Sequence, residues 1–162
     1  MTDVDDTTRP RISDTPLSVD ALLTGTDRPD CGALAVFSGE VRDHHGGREV
    51  LRLSYTAHEA IADRMIREIE AEVAAKHEVP VVRVTHRVGD LAIGESAIVA
   101  VVRSAHRAEA FAALIEVVDA VKHRVPIWKE EWYADGTSEF VEGCSIAEDG
   151  GADHDHEAQP TR

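Results

Sequence analysis

The stretch AIVAVVRSAHRAEAFAALIEVVDAV, residues 97–121, decides the fold. It opens with a continuous apolar run from Ala97 to Val102, which is typical of a central strand covered on both faces. Ser104 is a good N-cap residue, and the apolar spacing after it predicts a long helix that Pro126 must end. The predicted apolar stripe of this helix consists of Phe111, Leu114, Ile115, Val118 and Val121.

The preceding segments predict two strands joined as a hairpin. Residues 32–41, GALAVFSGEV, are typical of a buried strand in which Gly39 permits a bulge or a close backbone approach. Residues 43–47, DHHGG, predict a turn or mobile loop. Apolar residues then alternate with polar ones over residues 51–55, which indicates the second strand.

A helix, a half-buried strand and a terminal hairpin complete the predicted body. Thr56 and Glu59 have capping-box spacing, so a helix should run from about residue 57 to residue 76. Residues 82–88 alternate as a half-buried strand, and residues 127–141 predict two strands around an Asp-Gly turn. We therefore predict an α+β sandwich with a mainly antiparallel sheet, two long helices and a C-terminal hairpin.

Composition limits the function classes. The chain of 162 residues has a formal net charge of -14, which argues against nonspecific binding to nucleic acid. No stretch approaches the ~20 apolar residues that cross a membrane, and the N-terminus lacks a signal-peptide pattern, so we expect a soluble, cytoplasmic protein. Its two cysteines, Cys31 and Cys144, have no zinc-site spacing and predict neither a disulfide framework nor a metal site.

The termini differ in composition from the body. Residues 1–16 are polar and acidic, and residues 142–162 form an acidic, histidine-containing tail. Both are poor in large apolar residues, so we predict disordered segments flanking one domain over residues 17–141.

Three clusters contain residues that could carry chemistry. In KHRVPIWKEEW, Lys122 and Lys129 flank the turn that Pro126 forces, although a helix-end lysine and a strand lysine are usually only structural. His106 and Arg107 open the second helix, where free N–H groups favour an anion, although such residues are often merely solvated. Arg42, after the glycine-bearing strand, could hold a phosphate bidentately.

The histidines outside these clusters are weaker candidates. His86 is interpreted as a satisfied structural histidine rather than a ligand. The remaining candidates lie in a predicted loop (His44 and His45) and in the predicted tail (His154 and His156). A loop and a tail hold no fixed geometry around a metal ion, so we predict no metal site there.

In order, the segments GALAVFSGEVRDHHGG, HRVGDLAIGE, VVRSAHRAEAF and VKHRVPIWKEEW make the chain resemble the MoaE family, the large subunits of molybdopterin synthase, over residues 17–141. The resemblance implies an α/β hammerhead-type fold and a homodimer within a heterotetramer. It also implies a small ubiquitin-like carrier whose C-terminal Gly-Gly thiocarboxylate gives sulfur to cyclic pyranopterin monophosphate, forming the molybdopterin dithiolene. No separate cofactor is implied.

The family's catalytic lysines correspond to Lys122 and Lys129, and its anion-binding positions to Arg42, His106 and Arg107. We expect these five residues to form one pocket, with Lys122 closest to the chemistry. Two alternatives stay open. Cys31 or Cys144 could carry a persulfide, or the chain could be a scaffold that holds a ubiquitin-like partner without chemistry.

Overall fold

The computed structural model describes residues 6–141. A 3-10 helix spans Asp6–Thr8. The α-helices are α1 (Val19–Leu23), α2 (Glu59–His77) and α3 (Arg107–Arg124). The strands are β1 (Ile12–Ser13), β2 (Ala33–Glu40), β3 (His44–His45), β4 (Arg48–Ala57), β5 (Val81–Arg87), β6 (Gly89–Ala92), β7 (Ser96–Ser104), β8 (Ile127–Tyr133) and β9 (Ser138–Val141).

These strands form two sheets. One has the order β1-β5-β7-β2, and the other has the order β3-β4-β8-β9 with β6 also paired to β4. Only the β1–β5 pairing is parallel among the described strands. The predicted α+β class is thus confirmed, with its mainly antiparallel pairing, two long helices and C-terminal hairpin β8–β9.

The central strand β7 organises the core. It lies between β5 and β2, as its apolar run predicts. Ile98, Ala100 and Val102 pack against α2 and α3, whereas Val99 and Val101 pack on the opposite face with Leu22 of α1. Because both faces are covered, alternation of polar and apolar residues is absent from this strand.

The predicted hairpin between residues 32–41 and the next strand is wrong. Strand β2 pairs with β7 at the edge of the first sheet, whereas β4 belongs to the second sheet. The register shifts between Gly39 and Glu40, and a Cβ on Gly39 would lie 2.8 Å from Ile98 Cγ2. This bulge bends the chain out of the first sheet. As an edge strand, β2 is also only partly buried, with Leu34 43% exposed.

Both predicted helix starts are too early. Thr56 stays in β4 opposite Trp128, so α2 begins at Glu59 and has no side-chain cap from His58. Ser104 stays in β7, and α3 begins at Arg107. In both cases the residue that local capping chemistry favours at the start of the helix is instead paired in a strand.

The apolar stripe of α3 is only partly as predicted. Leu114, Val118 and Val121 are buried, but Phe111 and Ile115 are 59% and 64% exposed. Ala110 and Ala113 instead occupy the face of α3 that packs over the sheet. Their small side chains allow the helix to approach the sheet closely.

The predicted disorder of the N-terminal segment is wrong for its described part, residues 6–16. Strand β1 pairs with β5, and the Arg11 Nε donates to Glu70 Oε2 at 3.1 Å. The Glu70 carboxylate is buried and requires positive partners, which this segment supplies. Residues 1–5 and the predicted tail 142–162 lie outside the described residues.

Candidate active site

A cavity of about 280 Å³ lies where the two sheets meet the C-terminal end of α3. Three of the five predicted site residues, Arg42, Lys122 and Lys129, line it. The cavity wall also contains residues that sequence reasoning did not select, including Tyr55, His45 and Glu131.

The break between α3 and β8 brings the two lysines to one cavity. Lys122 lies in the last turn of α3, which ends at Arg124, and Val125 turns the backbone to an extended conformation. Pro126 separates this turn from β8, whose inward side carries Lys129 with a side-chain exposure of 15%. A helix end and a strand start therefore face the same space.

The Lys122 ammonium has no carboxylate partner within residues 6–141. Its Nζ lies 5.6 Å from the centroid of the Phe37 ring, on the edge strand β2. An ammonium beside an aromatic face keeps all three N–H donors available to an incoming anion.

Lys129 is held by a buried carboxylate. Its Nζ lies 3.0 Å from Glu131 Oε1, and the Tyr133 hydroxyl donates to Glu131 Oε2 at 2.9 Å. Burial alone would raise the pKa of Glu131, but the contacts with His45 and Lys129 outweigh it and lower the pKa below its ordinary value. Glu131 is therefore a carboxylate that fixes Lys129 in position.

His86 forms part of the cavity floor. Its Nδ1 lies 2.8 Å from the carbonyl oxygen of Arg87, and its ring meets the Tyr55 ring edge-on at 4.8 Å between centroids. Burial lowers the pKa of His86 to about 4, and the Lys122 charge adds to the effect. The imidazole is thus neutral, with Nδ1–H donating, and the prediction of a satisfied structural histidine is confirmed.

The expectation of a single five-residue pocket is wrong within one chain. His106 and Arg107 border a separate open cleft with Gly32 and Ala33, at the N-terminal end of α3. Lys122 lies at the other end of the same helix, fifteen residues from Arg107 and hence about 22 Å away along the axis.

Residues 6–141 contain neither a metal-binding cluster nor a membrane-spanning helix. No group of three or more His, Cys, Asp or Glu residues within residues 6–141 could hold a metal ion. His154 and His156 lie outside the described residues. No helix in the described part of the chain is long and apolar enough to cross a membrane.

Two lysines and an arginine around one cavity of an α+β fold are suited to a protein whose substrate is an anion. The profile of the family described as MoaE protein matches residues 12–124. Catalytic subunit 1 of molybdopterin synthase from Mycobacterium tuberculosis is 40% identical over 126 residues, or 78% of this chain and 86% of the relative. The Bacillus subtilis molybdopterin synthase catalytic subunit is 38% identical over 125 residues, or 77% and 80% of the two chains.

A solved structure agrees. Molybdopterin synthase from Staphylococcus aureus superposes with a TM-score of 0.77 and 30% identity, covering 82% of this chain and 96% of that chain. The chain belongs to the MoaE family. The family resemblance seen in the sequence is confirmed, and with it the expectation of an enzyme of the molybdopterin synthase class.

Proposed function

We propose that this chain is a molybdopterin synthase catalytic subunit that moves sulfur from the thiocarboxylate of a small ubiquitin-like carrier to cyclic pyranopterin monophosphate. The observation that carries the proposal is the meeting of Arg42, Lys122 and Lys129 in one cavity of a chain whose formal charge is -14. Both reactants are anions, and three local cations attract them where the rest of the molecule repels them.

Arg42 is the proposed phosphate ligand. It is exposed and follows the bulge at Gly39 and Glu40, so its guanidinium can turn toward the cavity. A guanidinium can meet a phosphate with two parallel hydrogen bonds, which fixes orientation as well as adding affinity.

Lys122 is the proposed group at the chemistry. In each transfer the thiocarboxylate sulfur bonds to a pterin carbon, and an oxygen substituent leaves that carbon and takes up a proton. Water then adds to the acyl carbon of the resulting thioester and creates an oxyanion, which collapses to release the pterin thiol and the carrier carboxylate. The unpaired Lys122 ammonium can stabilise this oxyanion and exchange a proton. Lys129, held by Glu131, orients the substrate. Two transfers give one dithiolene, and no cysteine nucleophile is needed.

A homodimer would reconcile His106 and Arg107 with this site. Strand β2 is the edge of its sheet, and it runs about 22 Å from the His106 cleft at Ala33 to the cavity at Gly39 and Glu40. If two β2 edges pair antiparallel across a two-fold axis, the cleft of each protomer lies beside the partner's cavity. The partly exposed Leu34 and Val36 would be covered in such a pairing.

Mixed dimers test this arrangement. Inactive Lys122→Ala and Arg107→Ala proteins, refolded together, should regain part of the wild-type turnover because one site in the mixed dimer is intact. Continued inactivity of the mixture, with heterodimers shown by mass spectrometry, would place Arg107 outside the shared site.

The carrier is the second proposed partner. The Mycobacterium tuberculosis and Bacillus subtilis relatives are named catalytic subunits, a term that implies at least one further subunit. We propose that one carrier binds each large subunit of the dimer, forming a heterotetramer, and that its Gly-Gly tail enters the cavity of Lys122 and Lys129. Glycines suit this role, since a narrow cavity admits a chain without side chains.

The test of the function is turnover with thiocarboxylated carrier and cyclic pyranopterin monophosphate, with the oxidised product detected by fluorescence. Lys122→Ala should lose at least about a hundredfold in kcat, the usual cost of removing an oxyanion donor. Lys76→Ala is the matched control, because Lys76 forms an exposed ion pair with Glu116 away from the cavity. Wild-type turnover by Lys122→Ala would remove Lys122 from the mechanism, and carrier binding without any turnover would support the scaffold.

The alternative enzyme would carry sulfur as a cysteine persulfide. Burial and the neighbouring Asp30 raise the pKa of the Cys31 thiol, whereas a sulfur nucleophile needs a lowered one. Cys144 lies outside the described residues. Alkylation of both thiols should leave turnover intact, and its complete loss would favour the persulfide alternative.

A further inference from the structure

A chain of three side chains connects the mouth of the cavity to Lys129. The His45 Nδ1 lies 2.7 Å from Glu131 Oε2, and the Lys129 Nζ lies 3.0 Å from Glu131 Oε1. The two carboxylate oxygens thus serve different partners. The Glu131 side chain is 5% exposed, so these partners, together with the Tyr133 hydroxyl, replace water around it.

His45 is the solvent end of this chain. It belongs to β3, which turns into β4 through Gly46 and Gly47 at φ values of 56° and 76°. Its side chain is 41% exposed, compared with 15% for Lys129. Proton exchange with solvent can therefore reach the buried carboxylate through His45.

The charge on Glu131 is divided between an imidazole and an ammonium. A neutral His45 donates one hydrogen bond to the carboxylate, and a protonated His45 makes a full ion pair with it. In the second state Glu131 is neutralised more completely by His45, and the Lys129 charge is more available to an anion in the cavity. The other charged or titratable groups on the hairpin or in the cavity lining are Glu40, Arg42, Asp43, His44, Arg48, Glu49, His86 and Lys122.

We propose that His45 is a positioning residue that acts through Glu131 to set the location and the anion affinity of the Lys129 ammonium. This rests on the proposed function, because the anion concerned is the pterin phosphate or the carrier carboxylate. The Michaelis constant for the pterin is therefore lower when His45 is protonated than when it is neutral.

The main experiment measures KM and kcat for wild type, His45→Ala and His45→Asn from about pH 8 to about pH 6. Asparagine places an N–H donor where His45 has Nδ1 but cannot take a charge. His45→Asn should match the wild-type KM at the alkaline end and lack its fall toward acid pH. His45→Ala should have a KM several-fold higher throughout, with kcat changed less.

The control uses a second cluster of the same chemistry outside the cavity. His77 Nε2 lies 2.7 Å from Glu116 Oε2, and Lys76 bonds the same carboxylate. His77→Gln should leave KM and its pH dependence at wild-type values. A His45→Asn profile that follows wild type over the whole pH range would overturn the protonation role, and an unchanged KM in His45→Ala would overturn the positioning role.

A measurement without turnover separates this inference from the proposed function. In protein with ¹⁵N-labelled histidine, the Nδ1 resonances of His45 should move in Glu131→Gln and keep their wild-type positions in Glu116→Gln. If wild type shows no sulfur transfer but this response is present, the proposed function fails and the contact stands. If sulfur transfer is present and His45 does not respond to Glu131→Gln, the inference about His45 fails.

Discussion

Replacing Glu70 with glutamine should strongly destabilise the fold, because Glu70 neutralises two arginines of the N-terminal segment. The side chains of Arg11 and Arg9 are 3% and 15% exposed, and both contact the Glu70 carboxylate. Glutamine keeps an oxygen for the Val84 N–H but carries no charge. Arginine cannot lose its proton, so Arg11 would stay buried and charged, at a cost of about 3 kcal/mol.

The cost is not the whole ion-pair energy. Burial raises the pKa of Glu70, while Arg9, the Val84 N–H and Arg11 oppose that effect, so the carboxylate itself is costly to bury. Glutamine removes this cost, which keeps the expected loss near about 3 kcal/mol rather than higher. Asp6 contacts Arg11 as well, but it is 41% exposed and cannot replace the buried charge.

Urea unfolding followed by the fluorescence of Trp128 and Trp132 measures the loss. With a slope of about 2 kcal/mol per molar urea, the midpoint should fall by about 1.5 M in Glu70→Gln. Glu72→Gln is the matched control on the same helix, since Glu72 and Arg124 form an exposed pair with 55% and 46% side-chain exposure. That control should keep a urea midpoint close to the wild-type value, because solvent screens an exposed pair. Equal small shifts in both variants would refute the reasoning about buried charge.

Gly39→Val should lose about 1–3 kcal/mol, because its Cβ would lie 2.8 Å from Ile98 Cγ2 at the bulge beside the cavity, and an unchanged urea midpoint would contradict this. Arg42→Gln should raise the KM for the pterin by about tenfold or more with little effect on kcat. The control Arg64→Gln, at an exposed arginine, should leave KM unchanged. Equal KM values in wild type and Arg42→Gln would remove Arg42 from phosphate binding. The pKa of His86 is about 4 in the folded chain, below its unfolded value of about 6.5, so the unfolded state takes up the proton first as the pH falls. The wild-type protein should therefore lose about 3 kcal/mol of stability between about pH 6.5 and pH 4, and His86→Asn should lose less. If the urea midpoints of wild type and His86→Asn fall in parallel over this pH range, the depressed pKa of His86 is contradicted.

The sequence predicted those elements whose hydrophobic pattern is strong. The run from Ala97 to Val102 could only be satisfied by a strand covered on both faces, and the structure places it at the centre of its sheet. The terminal hairpin was predictable because an Asp-Gly turn separates two segments that can each form a strand, and Gly136 has a φ of 85° in that turn.

Strand pairing was less accessible, because the period of a strand does not identify its neighbour. Adjacent strands usually pair, which favoured a hairpin of β2 with β4. The bulge at Gly39 and Glu40 instead sends the two strands into different sheets. Disorder of the N-terminus was predicted from composition, which contains no information that the arginines of this segment neutralise a buried glutamate 59 residues further along the chain.

The candidate site shows the same division between local and long-range information. Lys122 and Lys129 are seven residues apart around Pro126, and a forced turn is enough to bring them together. By contrast, the distance from Arg107 to Lys122 was already implied by the predicted helix, so one pocket for both could have been rejected from helix geometry alone. Glu131 could have been found as the residue two positions after Lys129, on the same face of the strand.

The environments of Lys122 and His86 favour different charge states of the two groups. Lys122 lies in the last turn of α3, where the helix dipole favours a positive charge. His86 is buried beneath it, and burial together with the nearby Lys122 charge keeps the imidazole neutral. Its Nδ1 proton is engaged by the Arg87 carbonyl, so its remaining ring nitrogen is an acceptor. A cationic ammonium and a neutral imidazole therefore line the same cavity, and under the proposed function the ammonium is the group that can stabilise an oxyanion there.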